Sequence, residues 1–287
     1  MTPSRGELSE YSIFIDSKFN KTSPLYTFEF SLILLNFIRP KFTSQHIIIN
    51  SFDDHKIHGS LIKHKKSKSD LVVIIPGSGP TDRNGNNSSI KSDYLKLLTQ
   101  ELYKYEISSF RYDKRGVAES LGDIKLANEI KFQDFVKDVI EIIKYFRQSN
   151  HFNSITLIGH SEGSLIGMIA SQTSDVDKFV SIAGAGEDYL TVIQRQLSNR
   201  APYIKSMSNP IIEQLRNKKL VDSIPPLLNN LFGSSIQEFL IDAASYNPST
   251  EISKLNIPIL IAQGTNDIQI ELKAVSYTHL RAHETLI

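Results

Sequence analysis

A serine between two glycines is the first feature of this sequence that could perform chemistry. Residues 159–163 read Gly-His-Ser-Glu-Gly, which places Ser161 at the centre of a G-x-S-x-G pattern. A β-branched run at 155–158 precedes the pattern, and small and apolar residues at 165–171 predict a helix after it. The order predicts a strand, a sharp turn and a helix. The pentapeptide alone is weak support, because about one chain in ten of this length would contain it by chance.

The chemistry of such a serine requires further groups. A serine hydroxyl is a poor nucleophile near neutral pH, so it needs a base, usually histidine, and a carboxylate that orients the base. Backbone N–H groups must stabilise the oxyanion of the tetrahedral intermediate, and the N–H of Glu162 directly follows the serine. Asp267 comes later in the chain, after a predicted strand at 258–262, and is the candidate acid.

Strands and helices that would position these residues alternate along the chain. The predicted strands are 47–49, 56–62, 71–75, 107–110, 155–158, 178–182 and 258–262, and the predicted helices between them are 94–105, 132–148 and 165–171. This alternation favours a mostly parallel sheet with helices on both faces. Sites in such sheets lie at the carboxyl ends of strands, where the polar turns of this chain are also predicted.

Four motifs in a fixed order resemble a bacterial carboxylesterase-like group of the α/β-hydrolase superfamily. They are Pro76-Gly-Ser-Gly-Pro-Thr-Asp-Arg-Asn-Gly-Asn86, Arg111-Tyr-Asp-Lys-Arg-Gly116, Gly159-His-Ser-Glu-Gly163 and Gln263-Gly-Thr-Asn-Asp267. The resemblance covers about residues 46–274. It implies an α/β-hydrolase fold, Ser161 as nucleophile, Asp267 as triad acid, and the backbone N–H groups of Ser78 and Glu162 as the oxyanion hole. It also implies ester hydrolysis through an acyl-enzyme, without a cofactor.

The same reasoning predicts a domain organisation. Residues 46–186 and 251–274 would form the hydrolase core, and 187–250, which lack strand patterns, would form an inserted helical cap with helices at 189–197, 210–220, 226–231 and 237–244. Residues 1–45 are a leader of uncertain status. Their apolar stretch at 28–38 is open to three interpretations: part of a non-domain leader, a packed strand or helix, or a targeting segment or anchor.

The residues after Asp267 lead us to expect that the catalytic histidine, the base of the triad, is missing from this sequence. In the family that the motifs resemble, the histidine lies beyond one more helix and strand, which need at least about 15–20 residues after the acid. His279 is too early and His283 marginal. Residues 275–287 also resemble a translated sequencing-adapter peptide. We therefore expect a C-terminally truncated, inactive chain whose native sequence stops near Ala274.

Some of these residues have simpler interpretations. Ser161 could be a structural serine of a glycine-rich turn, and Asp267 could cap a following helix, since aspartate is a favoured N-cap. Glu187 is an alternative acid. We expect His160 to be a packing residue rather than the base, because its position directs it away from Ser161. The loop at 76–86 could cradle a phosphate, but it lacks the G-x-x-x-x-G-K-[ST] pattern.

Two further groups of polar residues are interpreted as structural. Asp113 and Arg115 are expected to form an ion-pair turn at the floor of the site rather than to act as catalytic groups. The residues Asp53, Asp54, His55 and His58 could suggest a metal site, but a hairpin turn is the preferred interpretation.

Composition restricts the possible partners. The 287 residues carry a net charge of +1 and contain no cysteine, which excludes disulfides, cysteine metal sites and a thiol nucleophile. The lysine-rich run at 63–68 is expected to be a solvated loop. We expect a small-molecule ester substrate, no nucleic acid, no metal and a cytoplasmic location; the oligomeric state is left open. The rival functions are a serine peptidase or thioesterase on the same fold and a non-catalytic binding protein.

Overall fold

The computed structural model describes residues 11–15, 42–66, 68–122, 129–200 and 202–270. The apolar stretch predicted at 28–38, the tail at 275–287 and both candidate histidines after Asp267 lie outside the described residues. No helix within these ranges is both long and apolar enough to cross a bilayer.

Eight strands form one sheet in the described residues. They are β1 (Tyr11–Ile15), β2 (Ser44–Asn50), β3 (Lys56–Ile62), β4 (Ser69–Ile75), β5 (Ser108–Tyr112), β6 (Phe152–His160), β7 (Lys178–Ile182) and β8 (Ile259–Gly264). Their spatial order is β1-β8-β7-β6-β4-β5-β3-β2. Strands β4 to β8 pair in parallel, whereas β2 with β3, β3 with β5, and β1 with β8 are antiparallel. The predicted mostly parallel sheet is confirmed.

The central strand β4 explains why the sheet is covered on both faces. Successive strand residues point to opposite faces, and the run contains no polar residue after Asp70. Leu71, Val73 and Ile75 pack in the larger core, while Val72 and Ile74 pack in a second cluster on the opposite side. All five side chains are at most 3% exposed, as expected for a strand buried between two helical layers.

Three helices flank the sheet: α1 (Tyr94–Lys104), α2 (Phe132–Ser149) and α3 (Glu162–Thr173). Leu95 and Leu102 of α1 join the cluster that contains Val72, whereas α2 and α3 contribute to the larger core. Helix α2 begins with a capping interaction, because the Lys131 N–H donates to Asp134 Oδ2 at 2.9 Å. The predicted helices on this part of the chain are confirmed, with α3 beginning three residues earlier than expected.

A separate group of helices follows β7: α4 (Tyr189–Arg200), α5 (Lys205–Arg216), α6 (Asn229–Phe232), α7 (Ser234–Ala244) and α8 (Pro248–Ser253). Single 3₁₀ turns precede α5 and α6, at Pro202–Ile204 and Pro226–Leu228. Four of these helices and both turns share a hydrophobic cluster of their own, formed by Leu190, Ile204, Ile211, Ile212, Leu215, Leu228, Phe232 and Leu240. The predicted change to helical structure after residue 187 is confirmed.

The boundaries of the elements were predicted less accurately from the sequence than their types. Strand β2 begins at Ser44 rather than at residue 47, since all seven of its residues pair with β3. Helix α5 begins at Lys205, so Pro210 lies inside the helix and does not start it as predicted. Helix α8 was not predicted, although Pro248 at its first turn and the Asn247 side chain, which accepts from Ser249 N, are typical start signals.

Candidate active site

The turn between β6 and α3 holds Ser161 in a strained backbone conformation. Its φ of 54° and ψ of −119° lie in a region that non-glycine residues rarely adopt. Two hydrogen bonds fix the turn: Ser161 N–H donates to Ile182 O at 2.9 Å, and Ser164 N–H donates to Ser161 O at 2.9 Å. A sharp strand-to-helix turn of this kind exposes the serine hydroxyl above the carboxyl end of the sheet.

Both glycines of the motif are required by close backbone packing. A Cβ on Gly159 would lie 2.3 Å from Gly163 O, and a Cβ on Gly163 would lie 2.4 Å from Ile75 O and 2.6 Å from Pro76 O. The obstructing atoms are backbone atoms, which cannot move aside as a flexible side chain can. The helix therefore approaches β4 more closely than any side chain at residue 163 would permit.

A cavity of about 660 Å³ opens above Ser161. Ser78 and Glu162 line it beside the serine, and the group of helices after β7 supplies much of its wall. The apolar residues of its lining include Leu165, Val192, Ile193, Leu231, Ile236, Phe239 and Leu240. A largely apolar cavity with a few convergent polar groups is the usual form of a small-molecule site.

A buried ion pair lies under this cavity. Lys114 Nζ donates to Glu162 Oε1 at 2.8 Å and to the carbonyl oxygen of Gly77 at 2.7 Å. The Lys114 and Glu162 side chains are 3% and 4% exposed. Tyr189 OH donates to the other Glu162 oxygen, Oε2, at 2.7 Å, and burial raises the pKa of this tyrosine. The network connects the loop after β4, the turn after β5 and the elbow after β6.

The loop at 76–86 is held in place by a second buried pair. Asp113 accepts from the Arg83 N–H at 2.7 Å and from Nε and Nη2 of its guanidinium at 3.0 and 2.6 Å. Asp82 accepts from the backbone N–H groups of Asn84 and Asn86, both at 2.8 Å, which forms a turn within the loop. The loop is therefore ordered by its own polar side chains together with Asp113.

Asp113 and Arg115 make ion pairs, but not with each other. Asp113 pairs with Arg83, while Arg115 binds Asp138 through Nε and Nη2 at 2.9 and 2.7 Å and Asp53 through Nη1 at 2.6 Å. Arg115 also lines the cavity. The structural interpretation of both residues agrees with these contacts, whereas the expected self-contained ion-pair turn is wrong because each partner comes from another segment.

Asp267, the candidate acid, follows β8 and is half-buried. Its Oδ1 accepts from the backbone N–H groups of Gln269 and Ile270 at 2.8 and 3.0 Å, and its Oδ2 accepts from Gln263 Nε2 at 2.9 Å. The two backbone contacts are those of a capping aspartate, the alternative interpretation. They also fix the orientation of the carboxylate.

The described histidines do not include a partner for Ser161. His160 directs its ring to Tyr94, whose OH lies 3.3 Å from Nδ1, and burial lowers the pKa of His160, an effect that the Asp267 carboxylate opposes. The predicted packing role of His160 agrees with these contacts. Among the described residues, no histidine lines the cavity above Ser161.

The remaining candidates have structural partners. Glu187, the alternative acid, lines the cavity and forms an ion pair with Arg195. The predicted hairpin turn between β2 and β3 is confirmed: Ser51 N–H donates to His55 O at 2.8 Å, and Asp54 has a φ of 62°. His58 lies outside that turn, on β3.

Sequence reasoning missed Lys114 and Tyr189. Lys114 lies inside the motif at 111–116, but only its neighbours were considered, and Tyr189 was interpreted only as the start of a helix. A signal for Lys114 was present, because a lysine directly after a predicted buried strand is positioned at the edge of the sheet where sites lie.

Solved structures with the same fold include the esterase Pf2001 from Pyrococcus furiosus, with a TM-score of 0.60 and 15% identity over 88% of this chain and 81% of that one. Est1E from Butyrivibrio proteoclasticus, solved with ferulic acid, gives a TM-score of 0.56 and 16% identity over 82% and 85%. The esterase EaEST from Exiguobacterium antarcticum gives 0.54 and 15% over 83% and 87%. These likenesses establish the α/β-hydrolase fold.

The search of curated proteins finds no matching sequence. A family model does match: residues 89–279 fit Hydrolase_4, which is described as serine aminopeptidase, S33. The matched region contains the motif at 111–116, the elbow around Ser161 and the turn that ends in Asp267. The chain therefore belongs to the Hydrolase_4 family of α/β-hydrolases.

Proposed function

We propose that this protein hydrolyses small carboxylic esters through an acyl-enzyme on Ser161. The observation that carries the proposal is the cavity above the serine. Its wall is largely apolar, and both carboxylates that line it are neutralised by cations, Glu162 by Lys114 and Glu187 by Arg195. Such a cavity suits an uncharged acyl group better than a charged one, because an ionic group would lose its hydration without gaining a partner.

In the proposed reaction Ser161 Oγ attacks the ester carbonyl, the alcohol leaves, and water releases the acid from the acyl-serine. The oxyanion would be stabilised by the backbone N–H groups of Glu162 and Ser78. The Gly77 carbonyl and the Ser78 N–H belong to one peptide unit, and all described peptide bonds are trans, so these two groups point in opposite directions. Lys114 binds the carbonyl and thereby orients the N–H. A Cβ on Gly77 would lie 3.3 Å from Ser161 Cβ, which places this peptide against the nucleophile.

Lys114 would thereby act as a positioning residue. Its ammonium binds the Gly77 carbonyl and the Glu162 carboxylate. Gly77 directly precedes Ser78, and Glu162 supplies the other proposed oxyanion donor, so Lys114 holds both donors in place. Donors that are fixed before the reaction stabilise developing charge without reorganisation during it.

The remaining triad members are also part of the proposal. Asp267, held by two backbone N–H groups, would orient the base. None of the described histidines would serve as that base. The helices over 187–250 would form a cap that shapes the acyl pocket, and 46–186 with 251–274 the core. A cytoplasmic location and the absence of a nucleic-acid partner stay predictions from the sequence, and no metal is proposed for the reaction at Ser161.

An aminopeptidase is the second candidate, because it is what the family description names. Such an enzyme must bind the α-ammonium group of its substrate, which requires an unneutralised carboxylate in the cavity. The ion pairs of Glu162 and Glu187 favour the esterase over this candidate.

Imidazole rescue tests the proposal even if the base is absent. Imidazole in the buffer can enter the open cavity and take the place of a missing histidine side chain. We expect p-nitrophenyl acetate hydrolysis in imidazole to be faster with the wild-type chain than with Ser161→Ala, which corrects for hydrolysis by imidazole alone.

Each outcome has a defined meaning. Equal rates for both proteins in imidazole, with both folded by circular dichroism, would refute Ser161 as nucleophile. Serine-dependent turnover without imidazole would support the nucleophile and contradict the expected loss of the base, which His279→Ala and His283→Ala would then locate. A preference for leucine p-nitroanilide over p-nitrophenyl butyrate under the same conditions would replace the esterase proposal with the aminopeptidase.

A further inference from the structure

Two histidines lie on the solvent-facing side of the β2–β3 ladder, away from the cavity above Ser161. In the antiparallel register His46 is opposite Ser60, and His58 is opposite Ile48, so the two histidines are diagonal neighbours on one face. Diagonal residues of a ladder are within reach of each other when their side chains are long. Their rings are 5.3 Å apart, and His58 Nδ1 lies 3.3 Å from His46 Nε2.

A carboxylate from a third segment completes the cluster. Glu119 belongs to the 3₁₀ turn Ala118–Ser120, which follows β5. Glu119 and its neighbour Ser120 are both anchored: the Glu119 N–H donates to Asp113 Oδ2 at 3.2 Å, and the Ser120 hydroxyl accepts from the His58 N–H at 2.8 Å. Ala118 has a φ of 45°, an unfavourable value for alanine. Strained residues of this kind are concentrated at functional positions.

The distances between the three candidate ligand atoms fit one metal ion. Glu119 Oε2 lies 3.3 Å from His46 Nε2 and 4.0 Å from His58 Nδ1. Zinc is bound by nitrogen and oxygen at about 2.0–2.1 Å in a tetrahedron, which separates neighbouring ligand atoms by about 3.4 Å. Two of the three separations meet that value, and the third exceeds it by an amount that a small side-chain rotation would remove.

We propose that His46 Nε2, His58 Nδ1 and Glu119 Oε2 bind one divalent transition-metal ion of the zinc class, with water as the fourth ligand. Two imidazoles and one carboxylate suit this class and not Mg²⁺ or Ca²⁺, which prefer oxygen ligands. The His46 and Glu119 side chains are 49% and 60% exposed, so a water molecule can reach the fourth position.

A neighbouring arginine is the main argument against a cation at this place. Arg83 Nη2 forms an ion pair with the same Glu119 oxygen. Arg83 also has three hydrogen bonds to Asp113, two of them from its guanidinium. If the metal ion takes Glu119, the arginine therefore keeps a buried carboxylate partner and is not left unpaired.

The proposed role is structural. The three ligands do not line the cavity above Ser161. They do join the edge strand β2, its neighbour β3 and the turn after β5, which are remote in sequence. A bound ion would therefore stabilise the edge of the sheet, since an ion that binds only the folded state raises the free energy of unfolding.

Calorimetric titration of the tag-free full chain with Zn²⁺ tests this site. We expect one ion per chain, with His58→Gln and His46→Gln each binding at least about 100-fold more weakly, because loss of a direct ligand exceeds the 10–100-fold cost of an outer-shell partner. The matched control is His151→Gln, which removes an exposed histidine elsewhere and should bind as the wild type does. Co²⁺ bound at the site should show the visible bands of four-coordinate cobalt.

The stability of the variants makes the result decisive. His46 is half-exposed on an edge strand, so His46→Gln should unfold without metal at the wild-type temperature. Added Zn²⁺ should stabilise the wild type and His151→Gln, but not His46→Gln. Wild-type affinity no higher than that of His46→Gln, or an equal loss in His151→Gln, would overturn the proposal.

Discussion

Removal of the Lys114 ammonium should destabilise the fold by several kcal/mol. In Lys114→Met an apolar chain of similar size replaces the lysine stem. The Glu162 carboxylate, which is 4% exposed, then keeps only its hydrogen bond from the Tyr189 hydroxyl. The Gly77 carbonyl also loses its donor. Deleting one partner of a buried ion pair leaves an uncompensated charge, which costs about 3–5 kcal/mol.

A double-mutant cycle separates the pair from its surroundings. Glu162→Gln keeps an acceptor for Tyr189 and removes the negative charge, so it should also cost about 3 kcal/mol by leaving Lys114 unpaired. In the double variant neither charge remains. Its cost should be about 2–3 kcal/mol smaller than the sum of the two single costs.

Urea unfolding followed by far-UV circular dichroism measures these differences, since the chain contains no tryptophan. The matched control is Lys144→Met, which removes a lysine that is 57% exposed and paired with Glu141 at the surface. It should change the free energy of unfolding by about 0.5 kcal/mol or less. A Lys114→Met variant as stable as that control, or single costs that simply add in the double variant, would refute the buried pair.

Two further predictions concern the elbow and its neighbour. Gly163→Ala should lower the free energy of unfolding by several kcal/mol in a thermal unfolding experiment, because its Cβ would lie 2.4 Å from Ile75 O. In the control variant Gly79→Ala the new Cβ meets no atom within 4 Å, so the loss should be only about 1–2 kcal/mol, which comes from the left-handed φ. Equal losses in the two variants would contradict the packing argument. Burial lowers the pKa of His160 below its usual 6.5, so the unfolded chain protonates first as pH falls. The free energy of unfolding should therefore decrease below about pH 6.5 by up to ~1.4 kcal/mol per pH unit. His160→Gln should have a flatter pH profile, and identical profiles would show that His160 is not buried as described.

The elbow could be predicted because its determinants are local. The β-branched run before residue 159, the two glycines and the small residues after Ser161 are adjacent in sequence, and each favours one element. The alternation of strands and helices predicted the parallel sheet for the same reason. Element ends were less accurate, as at Lys205 and Ser44, because the last residues of an element are decided by pairing and packing rather than by the pattern.

The site network was beyond sequence reasoning because the order of strands in space differs from the order in the chain. Strand β4 lies between β5 and β6, so the residues that follow these three strands meet at one edge. Ile74 pairs with Arg111, and Ile75 with Gly159. Gly77 lies three residues beyond Ile74 and two beyond Ile75, while Lys114 and Glu162 lie three residues beyond Arg111 and Gly159.

The fold class, the order of the four motifs and the place of Ser161 in a strand-to-helix turn could be predicted from the sequence, because periodicity and turn chemistry act within a few residues. The pairing of Lys114 with Glu162, and of Arg115 with Asp53 and Asp138 rather than with Asp113, depends on the three-dimensional fold. The fold also brings His46, His58 and Glu119 together. Charges and ligands of this kind are paired by strand register and sheet order, which no local pattern encodes.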